Sequence, residues 1–212
     1  MSNPTGITTL FIDIGGVLLS NGWDHLARQR AATWFKLNWT EMENKHKQSV
    51  EDLEEGKITL DEYLNRVVFL EKRPFTREQF QDFIFEQSSA YPDMIKLILE
   101  LKATYGLKVV VVSNEGRELN AYRISKFKLD RFVDMFISSC FVHLRKPDVD
   151  IFHVALDIAQ VSPAKVVFIE NTEEFVKVAQ SLGIRSILHK DVKSTTDQLV
   201  DLGLQQEVLH AS

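Results

Sequence analysis

Five short apolar runs constrain this chain more than any other feature of it. They are Leu10-Phe11-Ile12, Lys108 to Val112, Met135 to Ser138, Val166 to Ile169 and Arg185 to Leu188. Three of them end on polar residues with chemistry to offer: Asp13 before Gly15-Gly16, then Ser113-Asn114, then Glu170-Asn171. A run of four or five apolar residues bounded by turn formers reads as a strand buried on both faces. Helical patterns lie between the last four runs, at Leu119 to Phe127, Asp150 to Ala159 and Glu174 to Leu182, the last stopped by Gly183. Strands alternating with helices predict an α/β fold, a parallel sheet with helices on both faces.

Residues 20–89 break the alternation. They hold no convincing strand and read as amphipathic helices over Trp23 to Phe35, Thr40 to His46, Val50 to Glu54, Thr59 to Phe69 and Thr76 to Phe85. Thr59 with Glu62, and Thr76 with Gln79, have the spacing of capping boxes. Gly56 and Pro74 punctuate the loops. The expected organisation is a discontinuous core of residues 1–19 and 90–212 with a small helical cap domain at 20–89. A chain of 212 residues suffices for one such core and a small second domain. The tail after Leu204 is expected to be poorly ordered.

A formal net charge of −5 gives no electrostatic footprint for nucleic acid, so a phosphate-bearing ligand would need a local positive pocket. The one cysteine, Cys140, excludes an internal disulfide and a cysteine-rich metal site, and reads as a buried, inert thiol. No apolar run is long enough to span a membrane, and Met1 to Thr9 lacks the pattern of a signal peptide. The expected setting is cytoplasmic, without membrane or nucleic-acid partners.

In an open parallel sheet, ligands bind beyond the carboxyl ends of the strands. Asp13, Ser113, Asn114, Glu170 and Asn171 all fall there, with Lys146-Pro147-Asp148 one short loop after the third run. Taken singly, each has a plain structural use as a turn former, a helix cap or a solvated loop residue. Together they suit phosphoryl transfer. A carboxylate can attack phosphorus. Gly15 and Gly16 can let backbone N–H groups approach an anion. Ser113 and Asn114 can donate to phosphoryl oxygens, and Lys146 can neutralise charge. Acidic or amide oxygens at 170 and 171 can hold a hard cation such as Mg²⁺.

At these positions the sequence resembles the haloacid dehalogenase superfamily of hydrolases. Phe11-Ile12-Asp13-Ile14-Gly15-Gly16-Val17-Leu18 is similar to its first motif and Val111-Val112-Ser113-Asn114 to its second. Arg145-Lys146-Pro147-Asp148 is similar to the third, Phe168-Ile169-Glu170-Asn171 stands at the fourth, and Ala179 to Ile184 is also typical. The resemblance implies a Rossmann-like core with a helical cap inserted after the first motif. It implies Asp13 as nucleophile with Lys146 as its catalytic partner, and Ser113, Asn114, Gly15 and Gly16 against the substrate. Mg²⁺ would be held by Asp13, Gly15, Glu170 and Asn171. Within the superfamily the pattern looks like the small sugar-phosphate phosphatases, such as glucose-1-phosphate phosphatases. The implied function is a phosphomonoesterase acting on a small phosphorylated metabolite through an aspartyl-phosphate.

The chain departs from the superfamily pattern twice. Its phosphatases usually carry a second Asp two residues after the nucleophile, as acid and then base; here that residue is Gly15. Such help is worth ~10²–10⁴-fold. The fourth motif usually supplies a second acid where Asn171 stands, so weaker Mg²⁺ binding is expected. The same departures fit two alternatives. One is a metal-independent 2-haloacid dehalogenase, which would need an arginine from near the cap, with Arg28 and Arg30 as candidates. The other is a pseudoenzyme that binds a phosphorylated ligand or a protein partner. Asn21, Trp23 and Arg117 are further residues that could border the pocket, whereas most of the tryptophans are expected in the core.

Overall fold

The computed structural model describes residues 5–205, so the expectation for the tail falls on residues outside that range. In chain order, β1 (Thr9–Ile12) is followed by α1 (His25–Trp34), α2 (Trp39–Glu54), α3 (Leu60–Val67), α4 (Arg77–Glu86) and α5 (Pro92–Tyr105). Then come β2 (Lys108–Ser113), α6 (Arg117–Phe127), β3 (Met135–Ser138), α7 (Ser139–Val142), α8 (Val149–Ala159), β4 (Val166–Glu170), α9 (Glu173–Ser181), β5 (Arg185–Leu188) and α10 (Val192–Asp201).

The five strands form one parallel sheet in the order β3-β2-β1-β4-β5, the expected α/β architecture. Its central strand, β1, is wholly buried because both faces are covered. Leu10, Ile12, Val109, Val111, Val167 and Ile169 pack with Leu97, Ile98 and Leu101 of α5 and Leu199 of α10. Phe11, Val110, Val112 and Phe168 pack with Ile151, Phe152 and Ala155 of α8 and Ala179 of α9. Each such buried side chain contributes about 1.5–3 kcal/mol of transfer free energy. Two apolar faces explain why these strands read as continuous apolar runs rather than as alternation.

Helices α1 to α4 lie between β1 and α5 and bury an apolar cluster of their own around Tyr63, Leu64, Phe80 and Ile84, joined by Leu119 of α6. Phe35 lies 4.5 Å from Phe75 and 4.8 Å from Phe80, ring centre to ring centre. Both capping boxes are present, at Thr59 with Glu62 and at Thr76 with Gln79. The two segments read separately over 40–54 are one helix, α2, capped by Asn38. The polar stretch Lys47-Gln48-Ser49 interrupts the pattern in sequence, but Ser49 is buried and the backbone runs through. Trp34 is no core residue: it is 74% exposed.

The chain enters and leaves this helical insert through one paired neck. Ser20 N–H donates to the Ser89 carbonyl at 2.8 Å, and Tyr91 N–H donates to the Leu18 carbonyl at 2.9 Å. A second attachment lies at the far end of α2. There Gly56 adopts φ +66° and sits so close to the Cys140 carbonyl of α7 that a Cβ would meet it at 2.2 Å. Only glycine permits both the left-handed turn and that approach.

Candidate active site

A cavity of about 320 Å³ opens where the carboxyl ends of β1, β2 and β4 face the helical insert. Its floor carries Asp13, Gly15, Ser113, Asn114, Lys146 and Asn171; of the other expected site residues, Glu170 lies buried against Lys146 and Gly16 does not line the cavity. Lys146 is completely buried. Its ammonium lies 3.2 Å from Asp13 Oδ1 and 2.5 Å from Glu170 Oε2, over the Phe168 and Phe175 rings. Burial opposes the Lys146 charge, but Asp13 and Glu170 outweigh it and hold its pKa above the ordinary lysine value. Burial, reinforced by the Asp13 charge, raises the Glu170 carboxyl.

Several floor residues are committed more tightly than their sequence roles suggest. The Asn114 amide donates to the Lys146 carbonyl and accepts from Lys146 N–H, both at 2.9 Å. Its side chain therefore fixes the lysine loop and does not reach for an anion. Gly16 N–H donates to the Leu19 carbonyl at 2.7 Å, so it too is spent within the loop. Asp13 Oδ1 accepts from Ile14 N–H at 2.8 Å, which orients the carboxylate. Ser113 is buried at the strand end beside them.

The corner at Asn171 bears on a metal. Glu170 Oε2 accepts from Lys146, and Oε1 accepts from Thr172 N–H at 2.9 Å. One end of the Asn171 amide lies 2.9 Å from Glu170 Oε1 and 3.2 Å from the Gly15 carbonyl. With nitrogen there, the amide donates to both oxygens. The amide would have to turn its oxygen to this end before Asn171 could join the Gly15 carbonyl around a cation. The atoms are the hard oxygens Mg²⁺ takes, so the corner fits the ion in kind. It is nonetheless poor in charge. Among the described residues no three His, Cys, Asp or Glu side chains converge as metal ligands.

The roof comes from α1 and α2. Arg28 lines the cavity, but its guanidinium is paired with Glu43 at 2.8 Å and donates to the Trp23 carbonyl at 2.8 Å. Arg30 is exposed and donates to Gln87. Neither expected arginine is free to receive a halide. Arg117 stacks over Phe141, away from the floor. His46 bonds the Tyr63 hydroxyl at 2.8 Å, and burial lowers its pKa to about 4, so it is neutral at pH 7. Arg145 pairs with Glu54 at 2.8 Å and Glu51 at 3.1 Å, tying α2 to the lysine loop. Cys140 is buried and its thiol is pushed up to about 12, which rules it out as a nucleophile.

A family model described as haloacid dehalogenase-like hydrolase matches residues 7–183, which span all four motif positions. The chain belongs to the haloacid dehalogenase-like hydrolases. Among curated relatives, this hydrolase is similar to pig (Sus scrofa) bifunctional epoxide hydrolase 2, with 29% identity over 57% of the chain. The match spans only 22% of that longer protein. It is also similar to flavin mononucleotide hydrolase 1 of Arabidopsis thaliana, with 25% identity over 79% of the chain and 67% of that protein. Among solved structures, a haloacid dehalogenase family enzyme of Bacteroides thetaiotaomicron superposes with a TM-score of 0.72 at 24% identity, over 87% of this chain and 94% of that one. That enzyme has also been crystallised with magnesium and inorganic phosphate.

Glu115 and Arg123 are among the residues of the hydrolase's cavity that sequence reasoning missed. Glu115 directly follows Ser113-Asn114, and Arg123 lies on α6. Adjacency to the second motif was a usable signal for Glu115. Nothing in the helical pattern marked Arg123, a charged residue with only 1% exposure.

Proposed function

We propose that this hydrolase is a phosphomonoesterase for a small phosphorylated metabolite, with Asp13 as nucleophile. One observation carries the reading: the Asp13 carboxylate sits against the fully buried Lys146 ammonium, with the Gly15 carbonyl and the Asn171 amide at one corner. A phosphoryl group needs this combination of a nucleophilic oxygen, a fixed cation and a corner able to take a dication. The pairing of Arg28 with Glu43 weighs against the dehalogenase alternative.

In this reading Asp13 attacks phosphorus and forms an aspartyl-phosphate while the alcohol departs. Lys146 and the Ser113 hydroxyl hold the phosphoryl oxygens. The Asn114 side chain keeps the Lys146 loop in place, leaving its backbone N–H for the anion. Asp13, the Gly15 carbonyl and, with its amide turned, the Asn171 carbonyl would hold Mg²⁺, since both Glu170 oxygens are engaged. Bound there, the ion supplies positive charge to the phosphoryl oxygens. The helical insert acts as the cap: it walls the cavity from water, and Trp23 and His46 are placed to touch the organic part of the substrate. Water then hydrolyses the aspartyl-phosphate and frees Asp13. The setting we propose is cytoplasmic, with a small molecule as the partner. Among the described residues no helix is long and apolar enough to cross a membrane.

The test is phosphate release from a sugar phosphate and an activated aryl phosphate, with Mg²⁺ and with chelator, for wild type and Asp13→Asn. The reading predicts Mg²⁺-dependent release that falls to background in the variant. Halide release from 2-chloropropionate, insensitive to chelator, would replace it with the dehalogenase reading.

A further inference from the structure

Position 15 has no side chain, and the guanidinium that borders the space it leaves carries a carboxylate of the same cavity. A Cβ placed on Gly15 would meet Asn21 Oδ1 at 3.5 Å and Arg123 Nη1 at 3.8 Å, ordinary contact distances. Arg123 Nη1 donates to Glu115 Oε2 at 2.6 Å. Glu115 lines the same cavity as Asp13 and Gly15 and keeps 13% side-chain exposure. Its N–H donates to Ser139 Oγ at 3.0 Å, which anchors the loop. Its second oxygen, Oε1, has no hydrogen-bond partner among the described residues. Arg123 is held in turn by Ser88 Oγ at 3.2 Å and by the Ser20 carbonyl, the two sides of the neck.

We propose that Glu115 is the general acid and base of this site, taking over the work that a carboxylate at position 15 would do, with Arg123 as its positioning residue. The proposal rests on the phosphomonoesterase reading and deepens it. As Asp13 attacks phosphorus and the bond from phosphorus to the leaving oxygen breaks, the Glu115 carboxylic acid gives that oxygen its proton. The products of this step are the free alcohol and the Glu115 carboxylate. In the second step a water oxygen attacks phosphorus, and the water proton passes to the Glu115 carboxylate. The bond between phosphorus and Asp13 oxygen breaks, releasing inorganic phosphate and restoring Asp13 as carboxylate and Glu115 as acid.

The surroundings of Glu115 suit a group that must take both forms. It faces Arg123 of α6, Glu54 of α2 and Asp13 at the end of β1. Burial raises its carboxyl, Arg123 pulls back, and Glu54 and Asp13 push further, leaving it at about 7. Near that value acid and base forms coexist at neutral pH. The sign for the first step follows. kcat/KM, which reports steps through the first irreversible one, needs protonated Glu115 and falls as pH rises through about 7.

The competing explanation is that the Glu115–Arg123 pair only staples the neck. Glu115→Gln separates the two, because it keeps the shape and removes the proton transfer. We expect kcat/KM on an alkyl or sugar phosphate to fall by ~10²-fold or more. In kcat/KM, which stops at the first irreversible step, an activated aryl phosphate, whose leaving group needs no proton, should lose less than about tenfold, and the alkaline limb should vanish. Equal losses in kcat/KM on both substrates with the limb intact would overturn the proposal and leave the phosphomonoesterase reading standing. If Glu115→Gln does not fold, Glu115→Asp takes its place: it should keep an alkaline limb at a displaced pH, and an unmoved limb overturns the proposal. Asp13→Asn, run in parallel, should be inactive on both substrates. Wild-type silence on every phosphate ester would overturn both the proposal and the reading beneath it.

Discussion

The floor and the roof of the cavity are built on different principles. On the floor, Asp13, Lys146 and Glu170 are each less than a tenth exposed and neutralise one another at 3.2 and 2.5 Å. On the roof, Glu51 is 70% exposed, and its partner Arg145 reaches across from the core loop. Buried charges hold one another because none can return to water, so removing one leaves the others uncompensated. Partly solvated pairs exchange protein contacts for water at little cost. The floor is therefore a fixed chemical unit, whereas the roof meets it at Arg145 through partly solvated pairs, between the neck at Ser20 and Ser89 and the close approach of Gly56 to Cys140.

The largest effect that would break this contrast is on the floor. Lys146→Met should abolish activity and lower unfolding free energy by about 3–5 kcal/mol, because two carboxylates are left facing each other. Denaturant melts read the stability change. A variant as stable as wild type would mean that Asp13 or Glu170 is already neutral.

Asn171→Asp should sharpen the picture at the metal corner. An added carboxylate beside the Gly15 carbonyl should tighten Mg²⁺ binding on the order of tenfold, about 1.4 kcal/mol by calorimetry. It should also make the melting temperature sensitive to chelator, since without the ion that carboxylate faces Glu170 Oε1. Unchanged affinity would place the ion away from residue 171.

The smallest effect belongs to the roof. Glu51→Ala, which removes only the exposed partner of Arg145, should cost about 1 kcal/mol or less. Its signature should be a raised KM with kcat largely kept, because the insert closes less firmly over the substrate. A loss in kcat equal to that of Lys146→Met would erase the distinction between floor and roof.

The same contrast explains what could be read in the sequence. Asp13, Ser113 and Glu170 each close a buried strand, so an apolar run points straight at them, and Lys146 follows the third strand by the short helix α7 and a loop. What those residues do with their hydrogen bonds was not readable. Asn114 looks like an anion ligand until its amide is seen clasping the Lys146 main chain, and the Gly16 N–H is taken by a turn that closes on Leu19. On the roof the helical period gave the helices but not their junctions, so α2 was read in two pieces. Glu115 and Arg123 escaped for another reason. The value of that pair lies in the space above Gly15, and an absent side chain marks a space only once the neighbours are placed.

The most direct test of the account is to quench the enzyme with acid during turnover of a sugar phosphate and map the adduct by peptide mass spectrometry. The account predicts a phosphoryl group on the peptide containing Asp13, present in wild type, accumulating in Glu115→Gln if water attack is slowed, and absent in Asp13→Asn. Phosphate release with no adduct on Asp13, or with activity retained in Asp13→Asn, would contradict it.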